Sequence, residues 1–152
     1  MIFIELLKES DIDEILKLEE LCFPEDPWSR LSFEKELDNP LSVFFVARDE
    51  ETGKMIGYGG IWLMYDIADI TNIAVHPDYR QEGIGRELLQ LLVRIAEEKK
   101  MTAITLEVRE SNLPAQKLYE SAGFIHCGTR KRYYQGIEDA KIMTLELKPT
   151  EE

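Results

Sequence analysis

The sequence predicts an α/β protein of the α+β kind, in which a mixed central sheet of about seven strands is flanked by about four helices. Apolar segments of strand length alternate with amphipathic segments of helix length from one end of the chain to the other. No repeat or low-complexity segment interrupts this alternation. The 152 residues, 44% of them hydrophobic and 32% charged, suit one globular domain spanning residues 1–152.

The first half of the chain predicts two helices and four strands. Residues 2–7 form the opening strand, and Ser10 with Asp13 resembles a capping box before a first helix. Two prolines end that helix, and Ser29 is expected to cap a second helix that runs to about Leu37. The remaining strands are a hairpin turning at residues 51–53, made of residues 42–48 and 54–65, and a strand at residues 68–75.

The second half predicts two helices and three strands. The most regular helical spacing runs from Ile84 to Lys100, and residues 102–108 read as a strand. Asn112 is placed to cap a short helix that has Pro114 in its first turn and Gly123 just past its end. Two final strands, residues 124–130 and 140–147, complete the sheet.

Composition excludes several classes of protein. A formal net charge of −12 opposes non-specific binding to nucleic acid and favours a cationic partner. The chain lacks an apolar run of the ~18 residues that span a bilayer, and its first residues do not resemble a signal peptide, so we expect a cytoplasmic protein without membrane partners. Two cysteines and two histidines without ligand spacing predict neither a metal site nor a disulfide scaffold. The oligomeric state is not predicted.

The stretch Arg80–Gly85 carries the first functional signal. It joins a predicted strand to the longest predicted helix, and its two glycines would let backbone N–H groups at the helix start approach an anion. An ordinary glycine-bearing turn explains the stretch equally well when it is taken alone. The dinucleotide-binding fingerprint does not fit because Leu88 stands where a third glycine is needed, and no Walker-type lysine follows.

Three motifs together resemble the GCN5-related N-acetyltransferases (GNAT). Residues 72–89 are similar to the acetyl-coenzyme A motif of that family, with Arg80, Gly83 and Gly85 at the matching positions. Residues 106–124 are similar to its following strand and helix. Residues 132–147 are similar to the C-terminal hairpin of the N-terminal acetyltransferases, and most of all to the ribosomal-protein-alanine (RimI-like) branch.

The resemblance implies acetyl-coenzyme A as cosubstrate and a GNAT fold. Backbone groups of three strand residues would hold the pantetheine and thioester: Ile73, Ala74 and Val75. Arg80 would add positive charge, and the N–H groups of the next six residues would bind the pyrophosphate: Gln81, Glu82, Gly83, Ile84, Gly85 and Arg86. Asn112 would reach the pantetheine end near the thioester. Glu82 departs from the family, whose members often carry a basic residue there.

Amine acetylation needs a base and benefits from an acid. An α-amine with a pKa of about 7.7–8.0 must lose a proton before it attacks. The family pattern assigns the base to Glu107 and the proton donor for the leaving thiolate to Tyr119. Taken alone, Glu107 on a solvated sheet face and Tyr119 as a packed aromatic explain these residues as well. Cys22 and Cys127 are expected to be buried and inert, so transfer should be direct, in a ternary complex.

Aromatic residues in two segments suggest where the acceptor binds. Trp28, with Phe23 beside it, and the pair Tyr133 and Tyr134 would form a slot for the first residues of a peptide, or else anchor loops to the core. The resemblance implies acetylation of a protein's N-terminal residue, alanine of a basic small-subunit ribosomal protein. Acetylation of a small amine such as a polyamine, and non-catalytic binding of an acyl-coenzyme A, are the alternatives.

Overall fold

Seven strands form one mixed sheet in the computed structural model, which describes residues 1–134 and 136–147. The strands are β1 (Ile2–Leu6), β2 (Ser42–Asp49), β3 (Met55–Met64), β4 (Ile67–Val75), β5 (Ala103–Arg109), β6 (Ile125–Tyr134) and β7 (Glu138–Glu146). The helices are α1 (Ile12–Cys22), α2 (Arg30–Asp38), α3 (Ile84–Glu98) and α4 (Leu113–Ser121), with short 3-10 turns at Glu9–Asp11 and Pro77–Tyr79. The predicted fold class is confirmed.

The strand order β1-β2-β3-β4-β5-β7-β6 places β4 and β5 side by side in parallel near the middle of the sheet. Their pairing begins at Ile67 with Ala103 and ends at Ile70 with Leu106. Past that point β4 continues to Val75 and β5 to Arg109, but the two strands no longer pair with each other. The register of β4 against β3 skips Thr71. The bulge at Thr71 therefore coincides with the place where the two parallel strands separate.

Helices cover both faces of the sheet. Beneath α3 and α4, alternate residues of β5 (Ile104, Leu106 and Val108) join the largest apolar cluster. On the opposite face, α1 and α2 pack over β2 and β3, where the rings of Phe33, Phe44 and Tyr58 meet. Strand alternation consequently turns Thr105, Glu107 and Arg109 toward this second face.

The start of α1 differs from the prediction. The capping box at Ser10 and Asp13 is wrong: α1 begins at Ile12, and the side chain of Asp11 accepts a hydrogen bond from the Lys8 N–H at 2.9 Å. Asp11 also belongs to an ion cluster in which Arg48 contacts three carboxylates, those of Asp11 at 2.6 Å, Glu14 at 2.8 Å and Glu5 at 3.1 Å. Long-range pairing to β2 thus sets the start of this helix.

The other predicted caps are confirmed. The Ser29 hydroxyl accepts from the Ser32 N–H at 3.1 Å, and the Asn112 side chain accepts from the Ala115 N–H at 3.2 Å. Gly123 adopts a φ of 100° directly after α4, as a helix-ending glycine does. Within the described part of the chain, no helix is long and apolar enough to cross a membrane.

Candidate active site

An open cavity of about 890 Å³ lies where β4 and β5 separate. Its walls come from the end of α1 and the loop after it, the end of β4, the turn before α3, the end of β5 and the first turns of α4. All but one of the cofactor-binding residues predicted from the sequence line it, the exception being Glu82.

The end of β4 offers an open strand edge to this cavity. Ile73, Ala74 and Val75 pair with β3 on one side, whereas β5 no longer pairs with them on the other. The Val75 carbonyl accepts from Arg80 Nε at 3.0 Å and from the Cys22 thiol at 3.4 Å, which fixes the corner between strand and turn. The edge of β4 that β5 leaves open can pair with an amide-bearing ligand.

The turn before α3 has the conformation of an anion-binding site. Gln81 and Gly83 adopt φ angles of 68° and 85°, and Gly83 is the N-cap of α3 without a side chain to block its N–H groups. Arg80 and Arg86 both line the cavity beside this turn. Glu82 is exposed, and its side chain does not line the cavity.

Asn112 and Tyr119 complete the wall formed by α4. The capping bond of Asn112 holds its side chain at the cavity, between Ser111 and Pro114. Tyr119 is 7% exposed and its ring packs 5.8 Å from that of Phe124. Burial raises the pKa of the Tyr119 hydroxyl to about 12, so the group stays protonated at neutral pH and can donate a proton.

Glu107 lies on the other side of the opening between β4 and β5. It directly follows Leu106, the last residue of β5 that pairs with β4, and its side chain points to the face opposite Tyr119's apolar cluster. The side chain is 17% exposed, and Oε1 lies 3.3 Å from Arg130 Nε. Glu107 does not line the cavity, whereas Arg109, two residues further along the same side of β5, does.

The predicted acceptor residues divide into two groups. Trp28 packs against the rings of Phe33 at 5.3 Å and Phe44 at 6.0 Å, which corresponds to the anchoring alternative. Tyr133, 49% exposed, lies 5.4 Å from the Arg130 guanidinium, which itself pairs with Glu107. Tyr134 packs on Tyr133 and under Arg109 at 4.3 Å. The tyrosine pair thus borders Glu107, and Phe23 borders the cavity.

Two acidic residues near the opening were not predicted from the sequence. Glu19, on α1, is buried and accepts hydrogen bonds from the Trp28 N–H at 2.8 Å and from the Tyr58 hydroxyl. The Asn72 amide donates to the same hydroxyl at 3.0 Å. Burial raises the pKa of Glu19 to about 7. The hydrogen bond from the Trp28 N–H lowers this pKa, and the nearby Asp26 raises it further. The network joins α1 and its following loop to β3 and β4.

The second is Asp69, on β4. Its Oδ1 is buried without a hydrogen-bond partner among the described residues. Burial first, and then the Glu107 carboxylate, raise the pKa of Asp69 to about 7, while Arg130 opposes the shift. The sequence offered one signal for it, since Asp69 is the only charged residue in the strand at 68–75.

The expectation that both cysteines are buried was wrong. Cys127 is exposed on β6, and Cys22 is half-buried and lines the cavity. Burial still raises the pKa of the Cys22 thiol, with Arg80 opposing the shift, and its hydrogen bond to the Val75 carbonyl gives it a structural partner. A protonated thiol is a poor nucleophile.

An open strand edge followed by a glycine turn at a helix N-terminus fits a ligand that carries both amides and a pyrophosphate, as acyl-coenzyme A does. The chain belongs to the acetyltransferase (GNAT) family, whose model matches residues 12–124, and it is an acetyl-coenzyme A-dependent N-acetyltransferase.

Relatives place the chain within the family. A Bacillus subtilis protein, named as a candidate [ribosomal protein bS18]-alanine N-acetyltransferase, is 42% identical over 139 residues, covering 90% of each chain. The Escherichia coli K12 [ribosomal protein bS18]-alanine N-acetyltransferase is 38% identical over 122 residues, covering 78% of this chain and 80% of its own. The crystal structure of the E. coli ribosomal-protein-S18-alanine N-acetyltransferase superposes with a TM-score of 0.89 at 34% identity, covering 100% of this chain and 97% of that one.

Proposed function

We propose that this chain transfers the acetyl group of acetyl-coenzyme A to the N-terminal α-amine of a protein, and that the acceptor is an alanine-initiated small-subunit ribosomal protein in the cytoplasm. The observation that carries the proposal is the opening between β4 and β5, because it holds the cofactor cavity and lies next to Glu107 and the exposed Tyr133. The names of the Bacillus subtilis and E. coli relatives support the choice of acceptor.

The residues of the cavity fit coenzyme A. The positive-φ turn at Gln81 and Gly83 points N–H groups at one spot and suits a pyrophosphate, with Arg80 and Arg86 beside it. The open edge of Ile73–Val75 suits the amides of a pantetheine arm. When bound, acetyl-coenzyme A supplies the acetyl thioester, and Asn112, which lines the cavity, would hold the pantetheine end.

Glu107 and Tyr119 carry the proton transfers in this proposal. Glu107 accepts a proton from the acceptor's α-ammonium, directly or through a water, which leaves the nitrogen lone pair free to attack. Tyr119 gives its hydroxyl proton to the leaving sulfur, whose thiol has a pKa of about 8.5. The two groups lie on opposite faces of the opening, so the acceptor and the leaving group are served from different sides. Transfer is direct, without an acetyl-cysteine.

The charge of the protein suits a basic acceptor. The net charge of −12 attracts a cationic ribosomal protein, and it attracts a polyamine as well. What favours the peptide is the exposed Tyr133 beside Glu107 and Arg130, which offers aromatic surface to the residues that follow an α-amine. A small linear amine does not need such a surface.

A panel of acceptors tests the proposal. We expect rapid acetylation of an alanine-initiated peptide from a ribosomal protein, no reaction of the same peptide with a blocked N-terminus, and slow reaction of spermidine. Rates come from the coenzyme A thiol released. Faster turnover of spermidine than of the free peptide would identify a small-amine enzyme instead.

A further inference from the structure

We infer that Asp69 shares the base role with Glu107: the acceptor's α-ammonium binds between the two carboxylates, and the proton that Glu107 accepts from it passes to the unpartnered oxygen of Asp69, where it is held. The inference rests on the proposed function and deepens it by naming a second catalytic residue on the acceptor side. It starts from the position of Asp69 in the sheet.

Register places Asp69 and Glu107 on one face of neighbouring strands. Asp69 pairs with Thr105 on β5, and Glu107 follows Thr105 by two residues on the same side. Strand spacing and rise put such diagonal Cα atoms about 8 Å apart, a span that two acidic side chains and one ammonium group fill. Ala68 and Ile70, on either side of Asp69, point into the apolar cluster under α3.

The charges around Asp69 favour a cation. Glu107 faces Asp69 from β5, and Arg130 and Tyr133 face it from β6. Trp62 is its neighbour on β3, and the indole N–H of Trp62 donates to Glu36 of α2 at 2.6 Å. Arg130 pairs with Glu107 at 3.3 Å and balances one of the two negative charges. The Asp69 Oδ1 has no partner in the described parts of the chain, so an incoming ammonium would satisfy a buried acceptor.

The two carboxyl groups have different surroundings. Glu107 forms an ion pair with Arg130, whereas Asp69 is buried beside Glu107 and has its pKa raised to about 7. That value approaches the pKa of an α-ammonium, about 7.7–8.0. In the net step, one N–H bond of the ammonium breaks, the proton passes by way of Glu107, one O–H bond forms on Asp69, and the electron pair stays on nitrogen for attack on the thioester carbonyl.

The pH dependence of kcat/KM for the alanine-initiated peptide tests the inference. We expect the wild-type value to rise with pH through a midpoint near 7, as Asp69 loses its proton. Asp69→Asn should lower kcat/KM by about a hundredfold and move this midpoint. Asp66→Asn, in the exposed turn before β4, is the matched control and should follow the wild-type profile.

A second readout does not depend on turnover. In protein labelled with ¹³C at the aspartate carboxyls, one signal should titrate near pH 7, disappear in Asp69→Asn, and move to lower pH in Glu107→Gln, because the neighbouring negative charge is gone.

The outcomes separate the two proposals. If Asp69→Asn still acetylates the peptide and the midpoint of its kcat/KM profile is unchanged, the role of Asp69 is overturned while the proposed function stands. The absence of an aspartate that titrates near pH 7 would have the same consequence. A wild-type protein that acetylates no peptide would overturn the proposed function and this inference with it.

Discussion

At the scale of single residues, environment gives chemically similar groups different properties. Tyr119 and Tyr133 are both near the opening, yet Tyr119 is 7% exposed and Tyr133 is 49% exposed. Burial among the apolar residues under α4 raises the pKa of the Tyr119 hydroxyl to about 12, so the hydroxyl keeps its proton at neutral pH. A hydroxyl that remains protonated through the working pH range can act as an acid toward a thiolate but never as the base.

Replacing Tyr119 tests this assignment. Tyr119→Phe keeps the ring that packs on Phe124 and removes only the hydroxyl, so we expect kcat to fall by about a hundredfold with little change in the melting temperature. Tyr65→Phe, at a 96% exposed position, is the control. Wild-type kcat in Tyr119→Phe, measured at saturating peptide and acetyl-coenzyme A, would exclude the hydroxyl as the proton donor.

A local pattern in the sequence is what pointed to each candidate residue. Glu107 and Tyr119, whose catalytic roles stay predictions, fall inside a motif, and Asn112 has the local signature of a helix cap, which the structure confirms. The sequence could not indicate that Glu19 is buried under Tyr58 or that Asp69 faces Glu107, because both facts arise from contacts between distant segments. The same reason explains the error at Cys127, whose strand β6 lies at an exposed edge of the sheet.

At the scale of elements, the site is made by the ends of β4 and β5 and by the turn before α3. Apolar periodicity predicted these elements to within two residues. The helix α3 begins at Ile84 as expected and ends at Glu98, where Lys100 was expected, and the bounds of β4 and β5 differ from the expected ones by one residue. The bulge at Thr71 was beyond prediction because it is defined by the register against β3. It nonetheless coincides with the place where β4 and β5 separate and the edge of Ile73–Val75 is left open toward β5.

The glycine at the start of α3 provides a test at this scale. Gly83 has a φ of 85°, a backbone conformation in which valine would be strained. Nothing lies within 4 Å of a Cβ added there, so a valine side chain would fit but would screen the N–H groups. We expect Gly83→Val to weaken acetyl-coenzyme A binding by about tenfold or more in a calorimetric titration. Gly53→Val is the matched control.

Gly53 has a φ of 74° and equally open surroundings, but it lies in the β2–β3 hairpin, away from the cavity. Its replacement should lower the melting temperature about as much as that of Gly83 while leaving the dissociation constant unchanged. Equal affinity of the two variants for acetyl-coenzyme A would show that the turn is not the pyrophosphate site.

At the scale of the whole molecule, buried acidic groups couple stability to pH. The Glu19 network joins α1, the loop at Trp28, β3 and β4, and it holds a carboxyl whose pKa is raised from 4.5 to about 7. The folded protein therefore binds the Glu19 proton more tightly than the unfolded chain does. The stability that this provides is complete below pH 4.5 and is lost as the pH rises through about 7.

Glu19→Gln should remove this pH dependence. The amide mimics the protonated acid, so the free energy of unfolding of the variant, relative to the wild type, should rise by roughly 2 kcal/mol between about pH 5 and about pH 8. Urea denaturation at the two pH values measures it, with the exposed neighbour Glu20→Gln as control. A difference that is constant with pH would mean that Glu19 is ionised throughout.

The central claim is that the opening between β4 and β5 brings an α-amine on the Glu107 face to an acetyl group held in the cavity. The most direct test is intact-mass and fragment-ion analysis of an alanine-initiated ribosomal-protein peptide after incubation with acetyl-coenzyme A and either the wild type or Glu107→Gln. We predict a gain of one acetyl group on the α-amine with the wild type and about a hundredfold slower gain with the variant. Acetylation at a lysine side chain, or an equal rate for the two proteins, would contradict it.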